Sequence, residues 1–288
     1  MESKENRSRN QLILAMCIFG TIGIVRRFIP LSSSLVALVR GVVGAAFLLI
    51  VMLVSRKPMD KRAVKQNLML LILSGAAIGF NWILLFEAYR FTTVATATLC
   101  YYLAPILVVA FAPLVLKESM TLRKAICTAV ALIGMVLVSG ILESGFNGLS
   151  EMKGILCGIG AAVLYASVIL MNKRMSPIGA YDKTSIQLIV ASVALLPYVL
   201  LTEDLTAVAL TPLAGALLLV AGVIHTGWAY QLYFGSMDGL QAHTVALLSY
   251  IDPIMAIILS MVVLHEPMSL LSAIGAVMIL GATYISER

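Results

Sequence analysis

Long apolar stretches follow one another along this chain, and its charged residues are confined to the short gaps between them. Only 12% of the 288 residues carry a charge, against about a quarter in a soluble domain. So few charges cannot clothe a water-facing surface, so most of the exterior must face lipid. The punctuation by Gly, Pro and charge divides the chain into ten runs: 11–29, 34–54, 67–90, 94–116, 121–141, 153–172, 184–202, 212–235, 242–264 and 269–286. Each is close to the roughly 20 residues that an α-helix needs to cross a bilayer. The expected fold is an all-α integral membrane protein.

The basic residues fix an orientation. With the N-terminus in the cytoplasm, fifteen Lys and Arg side chains fall inside, from Lys4, Arg7 and Arg9 through Lys57 to Arg288. Five fall outside or at outer helix ends: Arg26, Arg27, Arg40, Arg90 and Lys153. That bias predicts a multi-pass protein of the cell inner membrane with both termini cytoplasmic. The net charge of +6 therefore reflects topology, and no nucleic-acid partner is expected. The first run carries no A-x-A cleavage signal and reads as a retained helix. Cys17, Cys100, Cys127 and Cys157 all lie in apolar runs without C-x-x-C spacing, so they read as small buried hydrophobes.

The chain also repeats itself. Tyr101-Tyr102-Leu103-Ala104-Pro105 is followed by Glu118, thirteen residues after the proline. Ser249-Tyr250-Ile251-Asp252-Pro253 is followed by Glu266 at the same interval. Lys117-Glu118 matches His265-Glu266, and the aromatic run around Trp82 matches the one around Trp228 and Tyr230. Each copy, 11–141 and 153–286, has five runs, an odd number, so the second enters the membrane from the opposite side. Two inverted five-helix repeats place a binding site near the midplane, as in many secondary transporters.

On Pro105, Pro253, Glu118, Glu266 and an arginine, Arg40, opening the second span, the sequence resembles the EamA-like branch of the drug/metabolite transporter superfamily. The likeness runs from about Gln11 to Ile285. It implies ten spans, export or exchange of small metabolites, commonly amino acids, and a central site between helices 1, 3, 4, 6, 8 and 9. The chain departs from the family's usual first-span Trp-Gly pair, with Phe19-Gly20 in its place, and adds Arg26-Arg27.

Several residues are candidates for chemistry. Pro105 and Pro253 each remove a backbone donor, which reads either as a hinge bordering a cavity or as a packed kink. Asp252 lies about ten residues, or about 15 Å, into the ninth run. A bare carboxylate at that depth costs on the order of 2.5–3.5 kcal/mol, and its repeat counterpart is Ala104, so a proton- or substrate-handling role is favoured. His225 lies at similar depth on the preceding run; it is either a proton-coupling partner of Asp252 or a histidine bonded to a helix carbonyl. Asn81, Trp82, Tyr101, Tyr102, Trp228, Tyr230, Tyr250 and Arg40 are candidate substrate contacts. Glu87 and Arg90 are spaced to pair on one helix face. Gly154-x-x-x-Gly158 brings helices close but is weak evidence for dimerisation.

No P-loop or G-x-S-x-G is present, and His265-Glu266 does not continue as H-E-x-x-H, so neither ATP-driven transport nor enzyme chemistry has motif support, and no cofactor or metal is expected. The residues point to a secondary transporter of amino acids or related zwitterions, with protons as a candidate co-substrate and lipid as its surroundings. A passive channel or facilitator, and an intramembrane enzyme, stay open at this point. The topology itself is testable: Gly145→Cys and Gly179→Cys should label from opposite sides of the bilayer with an impermeant thiol reagent, and labelling from one side would refute it.

Overall fold

The computed structural model describes the chain except residues 1–3, 57, 93–96, 98–99, 120, 139–148, 206–209, 265–269 and 287–288. Lys57, Glu143, residue 145, His265, Glu266 and Arg288 therefore lie outside the described residues. Every regular element described is a helix. The first three are α1 (Lys4–Arg27), α2 (Ser33–Val54) and α3 (Lys61–Phe91). They are followed by α4 (Ala104–Leu116), α5 (Leu122–Val138), α6 (Leu149–Arg174) and α7 (Ala180–Thr202). A long rod comes next: α8 (Pro212–Val220), a π-helical segment (Ala221–Trp228), α9 (Ala229–Ser236) and a closing 3-10 turn (Met237–Gly239). The chain ends with α10 (Ala242–Leu248), α11 (Ile251–Leu264) and α12 (Leu270–Ser286).

Among the described residues, six helices are long and apolar enough to cross a membrane: Lys4–Arg26, Ser33–Val54, Lys61–Phe91, Met152–Arg174, Ala180–Thr202 and Pro212–Gly239. Helix is the outcome because lipid offers no partner to a backbone N–H or C=O, and a helix satisfies nearly all of them internally. The ends are finished by side chains. Ser32 accepts from the Leu35 amide, Asp60 from those of Arg62 and Ala63, and Thr211 from that of Ala214. The first and third helices begin several residues before the apolar runs do, because the polar leads Lys4–Asn10 and Lys61–Gln66 continue the same helices.

Packing rests on small residues. In α3, Gly75 and Gly79 stand one turn apart against α7; a Cβ at Gly79 would lie 2.7 Å from the Ala191 carbonyl oxygen, and one at Gly75 2.9 Å from that of Gln187. Small residues at this spacing let membrane helices touch backbone to backbone. The Gly154-x-x-x-Gly158 pair serves the same end within the chain, since Gly154 faces Thr92 and Gly158 faces Cys100. Helix α3 packs on α6 and α7, while the rod packs on α1 and α2; α4 packs on α6 and α11 on α1; α5 pairs with α12.

Two faces of the bundle matter below. The N-terminal face carries the start of α1 and the α6–α7 link; the far face carries the α1–α2 link. On the N-terminal face Glu118 accepts the Ala242 amide at 3.0 Å through both oxygens, and Asn67 and Ser176 exchange two bonds of 3.2 and 2.9 Å.

The Gly79 contact makes a direct prediction. Gly79→Leu forces the side chain into the α7 backbone and should cost about 1–3 kcal/mol, seen as a lower midpoint of thermal unfolding in detergent. Met69→Leu, at an outward position 74% exposed, should leave the midpoint unchanged. Equal midpoints for Gly79→Leu and the parent would refute the contact.

Candidate functional site

A cavity of about 350 Å³ lies in the middle of the bundle. Its walls come from α1 (Met16, Phe19, Ile22, Gly23, Arg26), α2 and the link before it (Ile29, Ser33, Val36, Ala37, Arg40) and α3 (Trp82, Leu85, Phe86, Tyr89). The second half of the chain supplies Tyr165, His225, Tyr230, Tyr233, Ser249 and Asp252. The lining extends to the α1–α2 link on the far face. Its deepest members, Tyr165 and Tyr233, form a floor in which the two hydroxyls are 2.7 Å apart. Tyr101 stacks on Tyr165 at 5.3 Å between ring centroids, so the floor is a continuous aromatic layer.

Two helix breaks border this space, and both follow from proline. Pro105 has no N–H to give, and α4 starts only at Ala104, after a tight turn in which the Leu103 amide bonds back to Cys100. Pro253 produces the same break: Ser249 and Tyr250 form a turn between α10 and α11, with the Tyr250 amide on Leu247. Each proline therefore sits in the first turn of a helical segment, where its missing donor costs little.

The two breaks meet. Tyr250, fully buried, donates its hydroxyl to the backbone carbonyl of Tyr102 at 3.2 Å, and the Tyr102 hydroxyl donates to Asp252 Oδ2 at 3.2 Å. Gly20 lets α1 approach this point, since a Cβ there would lie 2.8 Å from the Asp252 carbonyl oxygen. In this chain, then, the glycine of Phe19-Gly20 is the contact between α1 and the Asp252 backbone.

His225 sits in the π-helical segment, which widens the rod and turns the imidazole toward α1. Its Nε2 is 2.7 Å from Thr21 Oγ1, and its Nδ1 is 3.3 Å from the Val220 carbonyl. His225 and Asp252 thus line one cavity, but each bonds to its own partners and not to the other. Arg40 lies two turns into α2 with its guanidinium carbon 4.9 Å from the centre of the Trp82 ring. Among the described residues no carboxylate pairs with it, and its buried Nε has no hydrogen-bond partner. Arg26 donates to the carbonyls of Ile29 and Leu31, each at 2.5 Å.

Of the residues singled out from the sequence, Arg40, Trp82, Tyr101, Tyr102, Pro105, His225, Tyr230 and Asp252 line the cavity. Pro253, which follows Asp252, lies at the edge of the break. Three others are placed elsewhere. Asn81 is buried against α6 and donates to the Ala161 carbonyl at 2.6 Å; Trp228 is 43% exposed on the outside of the rod; Tyr250 packs behind the cavity in a cluster with Cys127, Leu247 and Ile254. Depth along a helix was countable for all three, but the face was not. Phe86, Tyr89, Tyr165 and Tyr233 were missed, although an isolated tyrosine deep in an apolar run, as at 165, was a visible signal. Helix α2 was missed as a wall, even though Arg40 belongs to it. The Glu87–Arg90 pair forms at 2.9 Å.

The model of the EamA-like transporter family matches residues 11–140 and again 152–287. The chain belongs to that family. It is 28% identical over 272 residues to YxxF, an uncharacterized transporter of Bacillus subtilis strain 168, covering 93% of this chain and 86% of that one. It is 27% identical over 280 residues to the protein PecM of Dickeya dadantii strain 3937, covering 95% and 90% respectively. One crystal structure superposes with a TM-score of 0.85 at 18% identity, covering 97% of this chain and 96% of that one, which shows a shared fold. Membership, together with the apolar helices, makes this a multi-pass membrane transporter of small solutes.

The floor generates a prediction of its own. Tyr165→Phe or Tyr233→Phe should each lower stability by about 0.5–1.5 kcal/mol, and the double variant should cost no more than either single one. Additive losses in thermal unfolding would show that the hydroxyls do not bond to each other.

Proposed function

We propose that the chain is a secondary transporter of the cell inner membrane that exports or exchanges amino acids or related zwitterions by alternating access. On this reading it has ten spans arranged as two inverted five-helix repeats, 11–141 and 153–286, with both termini cytoplasmic. The double family match supports two copies. So does the packing: three main contacts recur five spans further on, α3 on α6 answered by the rod on α1, α3 on α7 by the rod on α2, and α4 on α6 by α11 on α1.

The observation that carries the reading is the cavity. It extends to one face, is floored by tyrosines, and holds on its walls a carboxylate and a guanidinium whose Nε has no hydrogen-bond partner among the described residues. A substrate carboxylate would take the bidentate geometry that Arg40 offers, an ammonium would be met by Asp252, and the tyrosines would face an apolar side chain. A passive channel needs a continuous wet path, and the bonded Tyr165 and Tyr233 hydroxyls, 2.7 Å apart, leave no room for a solute between them.

Asp252 is the proposed proton-handling group. It is the acid that the repeat does not require, and it stands at the break between two helices whose relative motion would exchange access. In proteoliposomes, uptake of a labelled amino-acid mixture driven by a pH gradient should depend on external pH in the parent. Asp252→Asn should lose that dependence while still exchanging substrate. Retention of the full pH dependence by Asp252→Asn would remove the proton role.

A further inference from the structure

A second cavity, of about 280 Å³, lies on the N-terminal face of the bundle. Val51, Met52 and Ser55 line it from the end of α2, Pro58 from the α2–α3 link, and Tyr181 and Asp182 from the start of α7. None of these residues lines the central cavity.

Asp182 is the charged group of this lining, and it is 7% exposed. Its Oδ2 accepts the Asp60 amide at 3.1 Å, which ties the α2–α3 link to α7. Among the described residues no cation pairs with it, and its Oδ1 takes no hydrogen bond. A carboxylate this buried is ordinarily paired, and one amide leaves most of its acceptor capacity unused. Its place in the first turn of α7 favours a negative charge. Neither the helix dipole nor the tie fills the pocket. Asp60 adds a second carboxylate nearby, with its Oδ1 on the Arg62 and Ala63 amides at 3.0 Å each.

The surroundings say what kind of molecule reaches this pocket. Leu53 and Val54, in the same last turn of α2, are 77% and 78% exposed, which on a membrane protein means contact with acyl chains. Just beyond them Arg56, Lys61 and Arg62 are exposed around the link. Bases in that position meet lipid phosphates. The pocket therefore stands at headgroup depth, with acyl chains to one side and phosphate-binding cations to the other.

We propose that this pocket binds the head of a membrane lipid that ends in a primary ammonium, as in phosphatidylethanolamine: the ammonium meets Asp182 and the phosphate stays among the bases of the link. A primary ammonium brings three N–H donors, enough for the carboxylate and for the hydroxyl groups that Ser55 and Tyr181 add to the lining. A trimethylammonium carries the same charge but no donor, so a choline head forfeits those bonds. A bound head touches α2, the α2–α3 link and α7 together, and so adds to the tie that the Asp60 amide makes. The site is separate from the transport reading and does not depend on it.

Native mass spectrometry of the purified full chain, offered phosphatidylethanolamine and phosphatidylcholine with identical acyl chains, reads the preference. The parent should hold one ethanolamine lipid about tenfold more tightly than the choline lipid. Asp182→Asn keeps an acceptor for the Asp60 amide and should erase the preference. Ser55→Trp fills the pocket from an exposed position, leaves the carboxylate in place, and should erase it too. Equal binding of the two lipids by the parent, or an undiminished preference in Asp182→Asn, overturns the proposal. Should Asp182→Asn not fold, Ser55→Trp decides on the same terms. Lys57, on the same link, lies outside the described residues, and Lys57→Met tests its ammonium as the occupant. A preference that appears only in Lys57→Met would make the chain's own lysine the ligand and overturn the proposal. Octylammonium separates a lipid from a free amine: if the parent shows no lipid preference but binds octylammonium in a way that Asp182→Asn abolishes, the pocket belongs to a soluble amine and the lipid is overturned.

Discussion

Inside a bilayer a backbone amide or carbonyl without a partner costs several kcal/mol, and the shape of this molecule follows from where that demand is relaxed. The turn before α4, the turn between α10 and α11 and the π-helical segment before α9 all border the central cavity. The freed groups find partners: the Tyr102 carbonyl takes the Tyr250 hydroxyl across the bundle, and the Val220 carbonyl lies beside the His225 ring within the rod. Irregular backbone therefore lies where it makes a lining.

The same economy governs charge. Ionisable groups at membrane depth are expensive unless they meet a partner or water. Asp252 has the Tyr102 hydroxyl and the cavity; Arg40 has the face of Trp82 and the cavity. Arginine on an indole ring keeps part of its stabilisation while leaving its fork turned toward whatever enters. A carboxylate and a guanidinium thus stand on the walls of one cavity.

How much of this could be read beforehand depends on the kind of information. The helical character of the chain and the order of its apolar helices were legible, because hydropathy and punctuation are local properties. Depth was legible too, which is why Asp252, His225, Tyr101, Tyr102 and Trp82 were identified. Azimuth was not. Trp228 and Tyr230 are two residues apart in the same rod, yet one faces outward and the other lines the cavity, and the π-helical turn between Ala221 and Trp228 shifts the phase of everything after it. Asn81 and Trp82 are neighbours with the same fate.

Counterflow tests the central claim most directly. Proteoliposomes preloaded with an unlabelled amino-acid mixture and diluted into a trace of the labelled mixture should take up label transiently above its equilibrium level, because a carrier that presents one site alternately to each side exchanges faster than it empties. A monotonic approach to equilibrium, indifferent to what was loaded inside, would contradict alternating access and with it the account given for the cavity.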